Sequence, residues 1–289
     1  MIRSLVVLFC VVLGLPSFAG ANDEPAVDLR GPDPKPGLKL REVVRLEMKA
    51  ADMTLKAEGK LLGTFKLDMT GIDESISTVK TTEGRAVTMF TTRIVKDEMT
   101  ISVHGPGGTE TKEDLGALAG QVVTSEKTKS GWKHTLADGE PSKAQKEALA
   151  NIPMWEEDED IPSGKQKIGA TWEMDAVHFK KVLGGSITAA SGKVRKTFTG
   201  LTKHNGELCA VIEWTGSIKG KLTADGNEKL FTLGQLKNTE YRSLKHGVSL
   251  KWEMEMSWKL SGKEKVEGNE VDVVIQGKAI VKSETEVRD

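Results

Sequence analysis

From Val248 to Leu260 apolar and polar residues alternate without a break. Val248, Leu250, Trp252, Met254, Met256, Trp258 and Leu260 fall on one side, and Ser249, Lys251, Glu253, Glu255, Ser257 and Lys259 on the other. A period of two held this long predicts a half-buried β-strand, because a helix would scatter the same residues around its circumference. At about 3.3 Å per residue the segment would run roughly 40 Å, about twice an ordinary strand. Strands of that length belong to a large, strongly curved antiparallel sheet.

The same pattern recurs along the chain. Ala210, Ile212, Trp214, Gly216, Ile218, Gly220 and Leu222 alternate with mostly polar neighbours, as do Val271, Val273, Ile275, Gly277, Ala279 and Val281. Val44, Leu46 and Met48 do so near the N-terminus, followed by Phe65, Leu67 and Met69 after a break at Gly59. Glycines 216, 220 and 277 inside these runs predict bulges or sharp bends. Asn205-Gly206 is the strongest hairpin signal; further turns are predicted at Lys96-Asp97 and at Lys129-Ser130-Gly131. No repeat of fixed period supports a solenoid or propeller.

Helical spacing is confined to the middle. Pro141 opens a stretch with Ala144, Ala148, Leu149 and Ile152 on one stripe, which Pro153 ends. A second helix is predicted from Asp175, with Ala176, Phe179, Val182 and Leu183 inward and Gly184-Gly185 as its stop. The expected fold is mainly β, as a long curved antiparallel sheet or sheets, or a half-barrel meander, with a small helical insert. Residues 38–140 form an N-terminal meander, 141–184 the insert and linker, and 185–289 a C-terminal meander; one body or two remains open.

The N-terminal residues change the picture of where the protein works. Arg3 precedes an apolar run from Leu5 to Leu15, then Pro16 and the small-residue pattern Ala19-Gly20-Ala21. That is a signal peptide, 1–21, cut after Ala21. The run is too short to span a bilayer, which needs about 20 residues, and no later segment would cross one as a helix. The expected location is therefore periplasmic or extracellular. Residues 22–37 carry four prolines and little apolar content, which predicts an extended, mobile leader. With 41 basic and 42 acidic residues the net charge is -1, and no strong field exists to recruit nucleic acid. Cys209 is the sole cysteine after signal removal, so no internal disulfide forms. Its apolar neighbours Leu208, Ala210, Val211 and Ile212 predict a buried, inert thiol.

Local signatures of chemistry are missing. The acidic run Glu156-Glu157-Asp158-Glu159-Asp160 lacks the alternation and glycine of a calcium loop and reads as a solvated surface. His104, His134, His178, His204 and His246 show no metal-ligand spacing. His104-Gly105-Pro106-Gly107-Gly108 lacks the Lys-Ser/Thr of a phosphate loop and reads as a turn. No Gly-x-Ser-x-Gly, His-Glu-x-x-His or Cys-x-x-Cys occurs. The expectation is a non-enzymatic protein without catalytic residues, metal or cofactor.

What stands out is Trp252, Met254, Met256 and Trp258 on one strand face, with Trp214 on a nearby one. Two readings apply: core under covering helices, or the wall of a cavity for an apolar or lipid-like ligand, which adaptable methionines suit. A long meander with a helical element over its apolar face, in an exported chain, resembles the half-barrel carriers of lipoproteins and lipids. The segment Ile161-Pro162 with Gly169-Ala170-Thr171-Trp172, followed by Asn205-Gly206-Glu207-Leu208-Cys209-Ala210, resembles uncharacterised exported β-rich bacterial proteins and implies no activity. The leading expectation is thus binding of an apolar or lipid-like ligand. The alternative is a structural or protein-interaction module of the envelope. An outer-membrane barrel is a further option, opposed by the ending Val287-Arg288-Asp289 and by the single tyrosine.

Overall fold

The computed structural model describes residues 26–150, 152, 155, 161–176, 187–224, 227–266 and 269–288. The signal peptide, the acidic run 156–160, His178 and the body of the second expected helix lie outside the described residues.

Two antiparallel meanders build one open sheet of 12 strands. The first contains β2 (Lys39–Ala57), β3 (Lys60–Glu83), β4 (Ala86–Gly105), β5 (Gly108–Leu115), β6 (Val122–Thr128) and β7 (Gly131–Leu136). The second contains β9 (Thr171–Asp175), β10 (Ile187–His204), β11 (Glu207–Ala224), β12 (Asn227–Ser243), β13 (Ser249–Val266) and β14 (Asn269–Arg288). The order across the sheet is β7-β6-β4-β3-β2-β14-β13-β12-β11-β10-β9, with β5 also on β4. The seam is the antiparallel pair β2–β14, so the first and last long strands meet in the middle. A separate two-stranded ribbon joins β1 (Val27–Asp28) to β8 (Lys165–Gln166).

Hairpin chemistry sets most of the register. Asn205 and Gly206 have φ of 49° and 84°, the double left-handed geometry of a tight hairpin that matches strand twist. Glu58 and Gly59 repeat it between β2 and β3 with φ of 47° and 78°. The turns at Lys129-Ser130 and at Pro106-Gly107 also fall between paired strands. Lys96-Asp97 does not turn: β4 runs straight through it, and Val95 is bulged out between Ile94↔Ser75 and Lys96↔Glu74. A bulge absorbs a polar pair in mid-strand, which to sequence inspection looks like a break.

Bulges recur. Register shifts interrupt β2 at Ala50, β11 between Gly216 and Ile218, and β12 between Gly234 and Lys237. Ala50 and Gln235 sit at φ 50° inside two of them, and the Ala50 amide is held by the Asp68 carboxylate at 2.6 Å. Each bulge adds local twist and bend, which is how strands of up to 24 residues curve.

Of the expected insert, the described residues contain the first helix. This helix, α1 (Lys143–Leu149), is capped by Ser142, whose hydroxyl takes the Gln145 amide while the Gln145 side chain returns to the Ser142 amide. Its Leu149 packs on Leu118 and Val123, away from Trp252–Trp258, so α1 is not their cover. Asp175 ends β9, hydrogen-bonded to β10, and Ala176 directly after it is helical; the rest of the second expected helix lies outside the described residues.

The described part of the leader, residues 26–37, is no free tether. Leu29 is fully buried with Phe198, Ala210 and Ile212, and its carbonyl accepts from Arg242 Nε at 2.6 Å. Arg85, in the β3–β4 turn, donates to the carbonyls of Arg30 and Gly31, each at 2.9 Å. Residues 29–31 therefore strap the end of β12 to the β3–β4 turn, across the three intervening strands β2, β14 and β13. Proline content suggested mobility because it removes donors; here acceptor carbonyls supply the attachment.

Candidate functional site

Trp252, Met254, Met256, Trp258 and Trp214 meet in one apolar cluster on the inner face. On β13 they keep a strict every-second-residue spacing, since no bulge interrupts the β13–β14 ladder: Met254 faces Val281, Met256 faces Ala279 and Trp258 faces Gly277. Met254 is buried, whereas Trp252, Met256, Trp258 and Trp214 keep part of their surface. Trp214 lies on β11, two strands from β13 rather than beside it. The apolar surface continues across the seam through Met48, Ala51, Leu67, Met69 and Ile101. Trp258 and Met256 touch both halves. The opposite face of β13 is solvated and ion-paired, as between Lys282 and Glu253 at 2.8 Å.

Bordering this band is a polar row. Register places Trp172, Lys196, Trp214, Asn238 and Met254 side by side on β9 to β13. The Lys196 ammonium lies 3.7 Å above the Trp214 ring. Trp214 Nε1 donates to Glu240 Oε2 at 3.1 Å. Glu240 also accepts from Ser249 and pairs with Arg242 at 3.5 Å, with both side chains 4% exposed. A buried pair of this kind costs desolvation and needs its remaining hydrogen bonds; Leu29 and Gly247 carbonyls supply them to Arg242. Two groups in the row are left over. Asn238 is 3% exposed, and neither its Nδ2 nor its Oδ1 has a partner; Trp172 Nε1 is also buried without one.

None of Lys196, Asn238, Glu240 and Arg242 was expected from sequence. For the three on β12 the reason is its bulge. Phe231 and Leu233 point inward at odd positions, and after Gly234-Gln235 the inward positions become Leu236, Asn238, Glu240 and Arg242. In sequence, Lys237–Arg242 is an unpatterned polar run, and only Gly234 hints at the change of parity.

Hollows exist elsewhere, at the far end of the strands. One of about 50 Å³ lies between Lys229, Leu260, Gly262 and Val273, and a wide, shallow one lies around Leu230, Ser261 and Val274. Among the described residues no group of three or more His, Cys, Asp or Glu side chains could hold a metal ion. His104 bonds Asp68 and Thr109, His134 bonds Ser125, and His246 bonds Glu207. Cys209 is fully buried, and burial pushes its thiol pKa up, the inert state expected of it.

No family model matches the chain, and no curated protein does. An outer membrane channel from Pseudomonas putida F1 aligns over 87% of this chain and 96% of its own, at 7% identity and a TM-score of 0.25. That likeness is too slight to carry an inference about fold or function. No described helix is long and apolar enough to cross a membrane.

Proposed function

We propose that this is a non-enzymatic exported protein that binds an elongated apolar or lipid-like molecule along the inner face of its sheet. The observation that carries the reading is the partly exposed band of Trp252, Met256 and Trp258 continuing into Met69 and Ile101, in a cluster whose members across the seam all come from sheet strands. Unbranched methionines between rigid indoles let such a surface adapt to a flexible chain, and an apolar patch left open on a soluble protein marks a binding surface. The test is purification from the native envelope followed by solvent extraction and mass spectrometry. Near-stoichiometric lipid, with quenched or shifted tryptophan emission on re-addition, is the expected result. Protein that emerges free of lipid and shows no thermal shift with any long-chain amphiphile would reject the reading.

A second reading, a structural or protein-interaction module, is favoured by one observation. Met254 is buried against its neighbours, as in a filled core. Met256→Trp, at the partly exposed methionine of the band, separates the two: on a packed face it costs about 1–3 kcal/mol, whereas on an open band it weakens ligand binding and leaves stability nearly unchanged.

A further inference from the structure

We infer that Asn238 is the head-group recognition point beside the apolar band, and that it selects a long-chain molecule carrying a neutral hydroxyl or carboxamide. This rests on the apolar-ligand reading above. Both polar atoms of the Asn238 side chain are buried and unpartnered, between Trp214 on one side and Met254 on the other. An amide in that state forfeits its hydration without replacement, so native proteins seldom leave one so. Its polar neighbours are already engaged: the Trp214 indole with Glu240, and Glu240 with Ser249 and Arg242.

The missing partner must therefore bring an acceptor for Nδ2–H and a donor for Oδ1 at once. A hydroxyl or a carboxamide does both. A carboxylate or phosphate brings acceptors only, and would leave Oδ1 without a donor. From Met254 the apolar positions Met256, Trp258 and Leu260 continue along β13 for roughly 20 Å at strand rise, enough for a long acyl chain beginning at the amide. Trp172 Nε1 lies three strands away, about 14 Å at ordinary strand spacing, and is outside the reach of the same head.

The experiment is a thermal-shift and tryptophan-fluorescence titration of the mature chain with monopalmitoylglycerol, palmitamide, methyl palmitate and palmitate. Monopalmitoylglycerol and palmitamide should bind about tenfold or more tightly than methyl palmitate, since a site built to hydrogen-bond rejects an analogue that cannot. Asn238→Leu should erase that preference, leave methyl palmitate affinity unchanged and raise the unfolding temperature, because it removes a buried orphan amide. Equal affinities of the unmodified protein for monopalmitoylglycerol and methyl palmitate, or tightest binding of palmitate, would overturn the head-group assignment while the apolar reading stands. Uniform loss of all four ligands in Asn238→Leu would overturn it too. Absence of binding by every probe would overturn both. The comparison among ligands needs no variant, so it holds even if Asn238→Leu folds poorly.

Discussion

Asp73 stands directly across from Asp97 in the β3–β4 ladder. Its carboxyl pKa is pushed up to about 6, first by partial burial against the sheet, then by repulsion from Asp97 and from Glu42. Asp97 is itself raised, by burial and by Asp114. Like charges opposed across a ladder oppose folding. A folded pKa above the unfolded one means the folded state is penalised once the group ionises. The penalty is absent below about pH 4, grows between about 4 and 6, and is complete above that. Asp73 also keeps an exposed edge, where water screens the repulsion, so the effect is held below about 1 kcal/mol. Asp73→Asn should accordingly stabilise the protein at pH 8 by that small amount and leave it unchanged at pH 4. Urea titrations at the two pH values measure it, and a gain at pH 4 equal to that at pH 8 would contradict the argument. Nothing local in the sequence marks Asp73, because its partners come from β2 and β4, and only the register brings them together.

Within single elements, legibility followed bulges. β13 has an unbroken ladder with β14 from Lys251 to Val266, so the alternation of Trp252, Met254, Met256 and Trp258 is legible in the sequence, whereas at Leu250 a register shift against β12 interrupts it. β12 and β2 change parity at Gln235 and Ala50, and the polar row on β12 was invisible for that reason. Glycines 216 and 277 both lie at register shifts, and both face backbone too close for a Cβ. A Cβ on Gly277 would lie 2.7 Å from Ala51 Cβ and 3.0 Å from its Cα, at the point where β2 bulges toward β14, whereas one on Gly200 would meet nothing within 4 Å. Gly277→Ala should therefore cost about 1–3 kcal/mol through overpacking against backbone. Gly200→Ala should be neutral or stabilising by up to about 1 kcal/mol, since it restricts the unfolded chain. Chemical denaturation of the two variants side by side checks the close approach, and equal effects would mean the bulge is misplaced.

At the scale of the whole molecule, the mainly β class and the long curved sheet were legible, because strand length and alternation are local. The strap was not, since its anchors Arg85 and Arg242 lie in the sheet hairpins and bond carbonyls, which carry no residue signature. Gly31 and Gly247 approach so closely there that a Cβ on Gly31 would fall 2.6 Å from Gly247 Cα, with both residues at positive φ. Leu29→Ala should cost about 2–5 kcal/mol, the usual range for emptying a fully buried leucine site, while Pro36→Ala, on the exposed part of the same segment, should stay within about 0.5 kcal/mol. Similar urea midpoints for the two would show the strap to be dispensable.

The β2–β14 seam has a kinetic consequence. Lys39 faces Arg288 and Leu40 faces Val287, so the earliest long strand waits for the last residues of the chain before its second edge closes. Each meander can zip through local hairpins, but joining them is the most non-local event in the molecule, and non-local pairing is slow. During that wait β2 presents an edge of 19 residues, and unpaired edges recruit other chains. Until the seam closes, the open edge of β2 is the place where pairing with a neighbouring copy would compete with folding.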